Sequence, residues 1–322
     1  MGGLPTPGSL KKRTKTEGSN PLSYNHPIIG NNPTVEVLLM KRMIILAAGL
    51  FLLPSAAPAA TFQQMVAKGD LEAVKQYVKT SHPDLNSLND QGMTALDWAL
   101  YHKQEKVALA LLSMGAGATV VDARNCTPLH YASQKGVLSV VKALLAKGVK
   151  VDAADKDGLT ALHYASGSVG LSVRMKDGVM NVDMTLTPEE SLGVARELIS
   201  HHFNVMARSK DGSTPLHFAC RTGYHQTAVL LLDHKADPNA QDEMGNAPLH
   251  VTGNILSQDF FKESDEKLVY LKNMLLGWSR KTIRIMLERG ARADLKNKKG
   301  ETALQSIPPL VINSDVRKWL EK

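Results

Sequence analysis

Histidine and cysteine are the side chains of this chain that could ligate a metal, carry a proton near neutral pH or attack an electrophile. Their spacing argues against all three roles. There are eleven histidines and two cysteines. Four histidines, His130, His163, His217 and His250, close the tetrapeptides Thr127-Pro-Leu-His, Thr160-Ala-Leu-His, Thr214-Pro-Leu-His and Ala247-Pro-Leu-His. His201 and His202 are adjacent, so they do not form the one-turn-apart pair that puts two ligands on one helix face. No His-Glu-x-x-His, phosphate-binding glycine loop, nucleophile elbow or paired-cysteine motif occurs. No catalytic, cofactor-binding or metal-ligating residue is assigned.

The elements that must position these residues follow a beat. With Thr94-Ala-Leu-Asp and Thr302-Ala-Leu-Gln added, the tetrapeptides begin 33, 33, 54, 33 and 55 residues apart. The two long gaps are single periods carrying insertions. A period of this size signals a stacked repeat array. Residues 127–159 are the cleanest copy. Thr127 offers a hydroxyl to the open amides of a helix start, and Pro128 takes the first helical position, where its missing N–H costs nothing. Gly136 breaks this helix. Val140, Val141, Leu144 and Leu145 form the apolar stripe of a second. Gly148 supplies a left-handed closing residue, and Val149–Asp157 reads as extended and polar before Gly158 turns the chain. One unit cannot bury its apolar faces alone, so copies must stack.

The recurring T-P-L-H-x-A, in register with a second-helix pair and a following glycine, resembles the ankyrin repeat family over residues 61–322. The pairs are Leu111/Leu112, Leu144/Leu145, Leu198/Ile199, Leu231/Leu232 and Met286/Leu287. The resemblance implies an all-α repeat solenoid of about seven units, near 61–91, 92–124, 125–157, 158–211, 212–244, 245–299 and 300–322. The first, around Lys68-Gly-Asp-Leu-Glu-Ala-Val-Lys, reads as having lost the tetrapeptide. It also implies that the tetrapeptide histidine is a structural hydrogen-bonding residue. Trp98, Tyr131, Tyr164 and Phe218 follow the tetrapeptides by one residue and are expected to form a ladder along the stack. His202 and Lys235 replace the closing glycine in repeats four and five, which predicts an altered turn there, with a functional surface as the alternative. Cys126 is expected in the exposed connection before Thr127, and Cys220 packed on a first helix. Three repeats apart, they exceed the roughly 4.4–6.8 Å between Cα atoms that a disulfide needs, so both are expected as free thiols.

The net charge of +7 suggests an acidic partner such as nucleic acid, but the distribution weakens that reading. Residues 1–60 hold six basic and two acidic residues, leaving 32 against 29 for the repeats, with no basic stripe or aromatic platform for bases. Nucleic acid is therefore not an expected partner. Residues 40–60 read as a signal peptide: Met40-Lys-Arg, an apolar run of 11 from Met43 to Leu53, and small residues at Ala57-Pro-Ala59 or Pro58-Ala-Ala60. That run is too short to span a bilayer comfortably. Residues 1–39 show no helical or strand period and read as a disordered extension, with Met40 as the expected start of translation. The expectation is export to the periplasm without stable membrane insertion once the signal is removed. Secretion, or anchoring by an uncleaved signal, are the alternatives.

Both insertions fall between the two helices of their repeats and so emerge on one edge. The first, near 167–187, reads as a β-hairpin with Asp177-Gly178 as its two-residue turn. Counting outward pairs Lys176 with Val179 and Leu171 with Met184, which sets Leu171, Val173, Met175, Met180, Val182 and Met184 on one face. Thr187-Pro-Glu-Glu190 then starts a helix with a capping box. The second, near 254–279, reads as a short helix with a stripe of Leu268, Leu271, Met274 and Leu275, ended by Gly277 before Ser279 caps the next. The apolar hairpin face either packs on the stack or serves as a partner groove with adaptable methionines.

Ankyrin arrays bind proteins through hairpin fingers and the inner surface of the first helices. By position, that implies Arg124, Lys156, Lys210 and Glu243 at finger tips, and Tyr101, His102, Lys135 and Arg221 on first helices. The function implied is a non-catalytic protein-binding module without cofactor. The competing reading is an enzyme or small-ligand carrier whose pocket is built by the two insertions.

Overall fold

A computed structural model describes residues 61–321 apart from 168–170, 177–178, 185 and 258–265. The expected extension at 1–39 and signal at 40–60 lie outside the described residues. Among the described residues, seven pairs of helical segments follow one another: Phe62–Lys68 with Leu71–Ser81, Ala95–Tyr101 with Glu105–Ser113, Pro128–Gln134 with Leu138–Ala146, and Ala161–Ser166 with Pro188–Ser200. Then come Pro215–Thr222 with His225–Asp233, the 3-10 turn Pro248–Val251 with Glu266–Glu288, and Ala303–Ser306 with Ser314–Leu320. First helices pack on first helices of the next repeat and second on second, so one apolar spine runs through the stack. The second-helix pairs are its rungs. Leu111, Leu144, Leu198, Leu231 and Met286 are each 0% exposed. Full burial of such a side chain contributes roughly 1.5–3 kcal/mol.

Each first helix starts with the same N-cap bond. The N-cap N–H donates to the side chain three residues on: Thr61 to Gln64 Oε1 at 3.1 Å, Thr127 to His130 Nδ1 at 2.9 Å, Thr160 to His163 Nδ1 at 3.1 Å. Thr214 to His217 Nδ1 at 3.0 Å, Ala247 to His250 Nδ1 at 3.2 Å and Thr302 to Gln305 Oε1 at 2.8 Å repeat it. Repeat one, which lacks the tetrapeptide, keeps the box through Thr61 and Gln64. An N–H can only donate, so Nδ1 of each histidine is bare and the ring proton sits on Nε2. Nε2–H donates into the finger that joins its repeat to the next: His130 to Ala153 O and Leu159 O at 3.0 and 3.1 Å, His163 to Ser213 O at 3.1 Å. His217 reaches Asn246 O at 2.9 Å and His250 reaches Leu295 O at 3.0 Å. The histidines are inter-repeat locks.

The recurring aromatics do not stack on one another among the described residues, which corrects the expected ladder. Tyr131 and Tyr164 instead donate their hydroxyls to Asp122 and Asp155 of their own fingers at 2.6 and 2.7 Å. The Tyr164 and Phe218 rings meet the lock histidine of the preceding repeat edge-on: His130 with Tyr164 at 5.6 Å, His163 with Phe218 at 5.4 Å. At these two steps the next aromatic packs on a histidine ring and not on the preceding aromatic.

The closing turns at His202 and Lys235 are not altered. Both adopt the left-handed conformation, with φ of 63° and 71°, as Gly148 does at 71°. The cost, on the order of 1–2 kcal/mol for a side chain there, is offset by burying Phe203 and Ala236 immediately after, each 5% exposed.

The backbone of the first insertion forms two antiparallel strands, Leu171–Lys176 and Val179–Met184. Leu171 opposes Met184, Val173 opposes Val182 and Met175 opposes Met180. The turn Asp177-Gly178 lies outside the described residues. Thr187 then caps Pro188–Ser200, its N–H on Glu190 Oε2 at 3.0 Å and its hydroxyl accepting from Glu190 N at 3.2 Å. The second insertion differs from expectation. After the 3-10 turn Asn254–Ser257, one helix of 23 residues runs Glu266–Glu288 straight through Gly277 and Ser279. A glycine costs a helix interior about 1 kcal/mol, too little to break a helix whose Leu275 and Leu276 on one side and Ile283 and Met286 on the other are buried. Ser279 packs against Gly223 and Gly253 in place of capping, and Thr282 Oγ1 donates to Gly223 O at 3.2 Å.

Burial holds the lock histidines below the usual value near 6.5, with His163 lowered to about 4. The unfolded chain therefore binds protons that the folded one refuses. The stability contributed by the locks is complete above about pH 6.5 and is lost as pH falls toward the folded value. Replacing His163 by Ala strands the Thr160 N–H and the Ser213 carbonyl. Urea unfolding at neutral pH should show a loss of about 2–4 kcal/mol, and the difference from wild type should shrink between about pH 6.5 and pH 4. A pH-independent difference, or one below about 0.5 kcal/mol, would contradict the lock.

Candidate functional site

Between consecutive repeats the chain makes a finger whose turn is built by one side chain. Asp122 Oδ1 accepts the N–H of Arg124 at 2.8 Å and of Cys126 at 2.7 Å. Asn89, Asp155, Asp242 and Asn297 do the same in their own fingers. The finger between repeats four and five uses Ser209 with Asp211, whose Oδ1 accepts the Ser213 N–H at 3.1 Å. The acceptor-x-x-x-x-Thr spacing was a usable signal for these turns.

Backbone bonds tie the fingers to one another. The N–H of Ala123, Lys156, Lys210, Glu243 and Lys298 donates to Gly92, Arg124, Asp157, Asp211 and Met244 carbonyls of the preceding finger, at 2.8–3.2 Å. Gly158 shows how tight the stacking is: φ is +76°, and a Cβ there would stand 2.8 Å from Lys210 N. The result is a rigid ledge. Lys156, Lys210 and Glu243 are exposed on it in three successive repeats, with exposed Met244 beside them. Arg124 belongs only in part to that set. Its guanidinium donates to Tyr131 Oη at 2.7 Å and lies 3.6 Å from Asp122, so it also braces its own finger.

The inner helices carry the second group of candidates. Tyr101 stacks on Trp98 at 5.8 Å, His102 meets both rings edge-on, and Lys135 Nζ stands 4.7 Å over the Tyr101 ring. Tyr101 is 40% exposed. Burial, then the Lys135 charge, lower the His102 pKa, so it is neutral at pH 7. Arg221 lies 5.0 Å over Phe218. These contacts hold long side chains in fixed poses, which reduces the entropy lost when a partner binds.

The tetrapeptide histidines and both cysteines are engaged or buried inside the stack. The four lock histidines have both ring nitrogens engaged. Cys126 is buried at 2% exposure, which corrects the exposed position expected from sequence, because the finger folds its 126 side chain inward toward Asp155 and the Tyr164 hydroxyl, each 3.9 Å away. Burial pushes the Cys126 and Cys220 thiols up to about 12. Both are free. No cluster of three metal-ligating side chains occurs among the described residues. A groove of about 700 Å³ lies at the far end, floored by Leu287, Leu304 and Trp319. Its carboxylates Glu288, Asp294 and Glu321 are paired with Arg284, Arg292 and Arg317. No described helix is long and apolar enough to cross a membrane.

At the insertion edge, Tyr224 Oη donates to Leu186 O and Ser191 Oγ donates to Ala165 O at 2.7 Å, fixing where the hairpin leaves and rejoins the stack. Lys103 reaches across repeat three to Glu190 at 2.6 Å. Sequence periodicity has no signal for that pair, since the insertion delivers Glu190 out of register. The side chains of Leu171, Val173, Met175, Met180, Val182 and Met184 lie outside the described ones.

Comparison with known proteins gives family matches described as ankyrin repeats (many copies) over residues 62–112, ankyrin repeats (3 copies) over 110–172 and ankyrin repeats (many copies) over 198–251. The chain is 31% identical over 106 residues to an ankyrin repeat protein of Rickettsia felis, covering 32% of this chain and 39% of that one. It is 40% identical over 67 residues to the ankyrin repeat and LEM domain-containing protein 1 homolog of Caenorhabditis elegans, 20% of this chain and 10% of that one. It is 46% identical over 43 residues to Rabankyrin-5 of Homo sapiens, 13% of this chain and 4% of that one. The chain thus spans well under half the length of these curated relatives. Among solved structures, the ankyrin repeat domain of Bcl-3 superposes with a TM-score of 0.52 at 23% identity, over 83% of this chain and 99% of that one. The human ASB11 ankyrin repeat domain gives 0.56 at 20% identity, over 82% and 96%. At these identities the likeness speaks to fold.

Thiol burial gives a direct check. A maleimide reagent at neutral pH should leave both cysteines of the folded protein unlabelled over an hour-long exposure and modify both in denaturant. Rapid native labelling of Cys126 would contradict its inward position.

Proposed function

The chain is an ankyrin-repeat protein, and from that premise we propose that it is a non-catalytic binding module, exported to the periplasm, that holds a partner protein on its finger ledge and inner helices. Ankyrin repeats are generally protein–protein interaction modules. The observation that carries the proposal is the ledge: successive fingers bonded backbone to backbone, with Lys156, Lys210 and Glu243 exposed in a row. A rigid, pre-formed surface avoids part of the ordering cost of association. The inner-helix groups Tyr101, His102, Lys135 and Arg221 extend it, and the insertion edge offers a third contact zone. Buried thiols and doubly engaged histidines favour binding over catalysis.

Export rests on residues 40–60, whose short basic start, apolar run and small-residue end have the composition of a signal peptide. A protein is the expected partner, with nucleic acid disfavoured by the near-balanced charge of the repeats.

The experiment is a periplasmic pull-down with tagged protein, comparing wild type with the Lys156→Glu/Lys210→Glu double variant and with a chain lacking residues 169–186. One stoichiometric protein should be captured by wild type and lost from the charge-reversed variant by at least about tenfold, equivalent to roughly 1.4 kcal/mol. Loss only on deleting 169–186 moves the contact to the insertion edge. Retention of the tagged chain in the cytoplasm contradicts the export, and turnover of a small molecule by the purified protein contradicts the binding role.

A further inference from the structure

Each interior finger lies in a seat on the finger before it, and the fittings of that seat recur in register. The segment starts with a buried side chain just past the closing turn: Ala116, Val149, Phe203, Ala236 and Ala291, each 5–8% exposed. The N–H of the next residue donates to a side chain of the finger before. Gly117 reaches Asn86 at 2.8 Å, Asn204 reaches Asp152 at 3.2 Å and Arg292 reaches Asn239 at 2.8 Å. Six residues further on, the N–H of Ala123, Lys210 and Lys298 donates to a carbonyl of that finger at 3.2, 2.8 and 2.9 Å.

Among the described residues, the seat on the outer side of residues 290–300 holds no segment, yet its fittings are in place. By the repeat period they are the Asp294 carboxylate, equivalent to Asn239, and the Lys299 carbonyl, equivalent to that of Met244. Asp294 accepts from the Arg292 side chain, and neither group accepts an N–H from a following finger. The apolar end of the seat is the groove floored by Leu287, Leu304 and Trp319. In repeats two to six the equivalents of Leu304 are 0–2% exposed and those of Trp319 are 0% exposed, whereas Leu304 and Trp319 are half-buried. Charge singles out the same place. Residues 290–300 carry Arg292, Lys296, Lys298 and Lys299 against Asp294, a net +3, where the equivalent spans 115–125, 148–158, 202–212 and 235–245 lie between +1 and −2. These four cations are exposed, and the three lysines have no ion-pair partner among the described residues.

We propose that this seat takes an extended, acidic segment of a partner protein, laid along the finger as interior fingers are. An apolar residue fills the groove, the next N–H donates to Asp294, and the N–H six residues further donates to Lys299 O. Acidic side chains at the first, fifth, seventh and eighth positions after the apolar one then stand over Arg292, Lys296, Lys298 and Lys299. Nucleic acid would meet the charge, but a phosphate backbone has no N–H to offer a carbonyl. The seat lies apart from Lys156, Lys210 and Glu243, so it holds or fails independently of the ledge.

The test is fluorescence anisotropy of a labelled synthetic peptide with the sequence of residues 202–212 carrying Asn204→Glu, Arg208→Glu and Lys210→Glu, titrated with the full chain. Phe203 is then the apolar residue, and Asp211 supplies the fourth acid. Saturable binding with a Kd of about 10–100 µM is expected, weakening several-fold as salt rises from about 50 to about 500 mM. The unmodified peptide should bind at least about tenfold more weakly, as should the Lys298→Glu/Lys299→Glu chain with the acidic peptide. Lys147→Glu/Lys150→Glu, the same charge change three repeats away, should leave the affinity unchanged. N-methylation at position 210 of the peptide, which removes one N–H and no charge, should weaken binding at least about fivefold. No saturable binding up to about 1 mM overturns the proposal. So do equal affinities for the two peptides, equal losses in the two charge-reversed chains, or indifference to the N-methyl group.

Discussion

One side chain, the third residue of each first helix, does two jobs, and the stack depends on both. Its acceptor atom closes the helix start by taking the N-cap N–H. Where it is histidine, the far side of the ring donates to the next finger. Burial in the rest of the spine is apolar and nondirectional, and would tolerate sliding between repeats. The ring lock does not, because a donor at fixed height must meet a carbonyl at fixed height. This is why the fingers keep register well enough for their backbones to bond. It also ties architecture to proton concentration, since the lock exists only in one protonation state and one tautomer.

The period, the helix pairs and the buried Leu/Ile/Met rungs were legible because they are one-dimensional patterns, with each repeat testing the others. What escaped was decided by contacts between repeats. Gly277 reads as a helix stop in isolation, yet burial on both sides of it outweighs its propensity. His202 and Lys235 read as altered turns, yet the residues that follow them are buried strongly enough to keep a left-handed backbone. Cys126 sits in a segment whose neighbours are exposed, and its inward turn comes from the Asp122 finger geometry, which no apolar periodicity reports. The aromatics were correctly placed as recurrent and wrongly paired, since a histidine ring lies between consecutive copies.

The candidate binding residues were legible as positions and less so as states. Lys156, Lys210 and Glu243 are exposed on the ledge, whereas Arg124 is partly drawn back onto Tyr131. Tyr101 and Lys135 turn out to touch across a repeat boundary, a pairing that only the stacking distance creates. The two insertions complete the division of labour. The tetrapeptide histidines and the two cysteines are held inside the stack, while the candidate contact residues lie on the fingers and the inner helices. At the insertion edge Thr187 and Tyr224 anchor the hairpin, and a continuous helix replaces a short one.

The most direct measurement is long-range proton–nitrogen NMR of the histidine rings in the folded protein. The account predicts His130, His163, His217 and His250 as Nε2–H tautomers with slowly exchanging ring protons, unchanged between about pH 6 and 8. Rings that carry the proton on Nδ1, or that titrate near the ordinary histidine value, would contradict it.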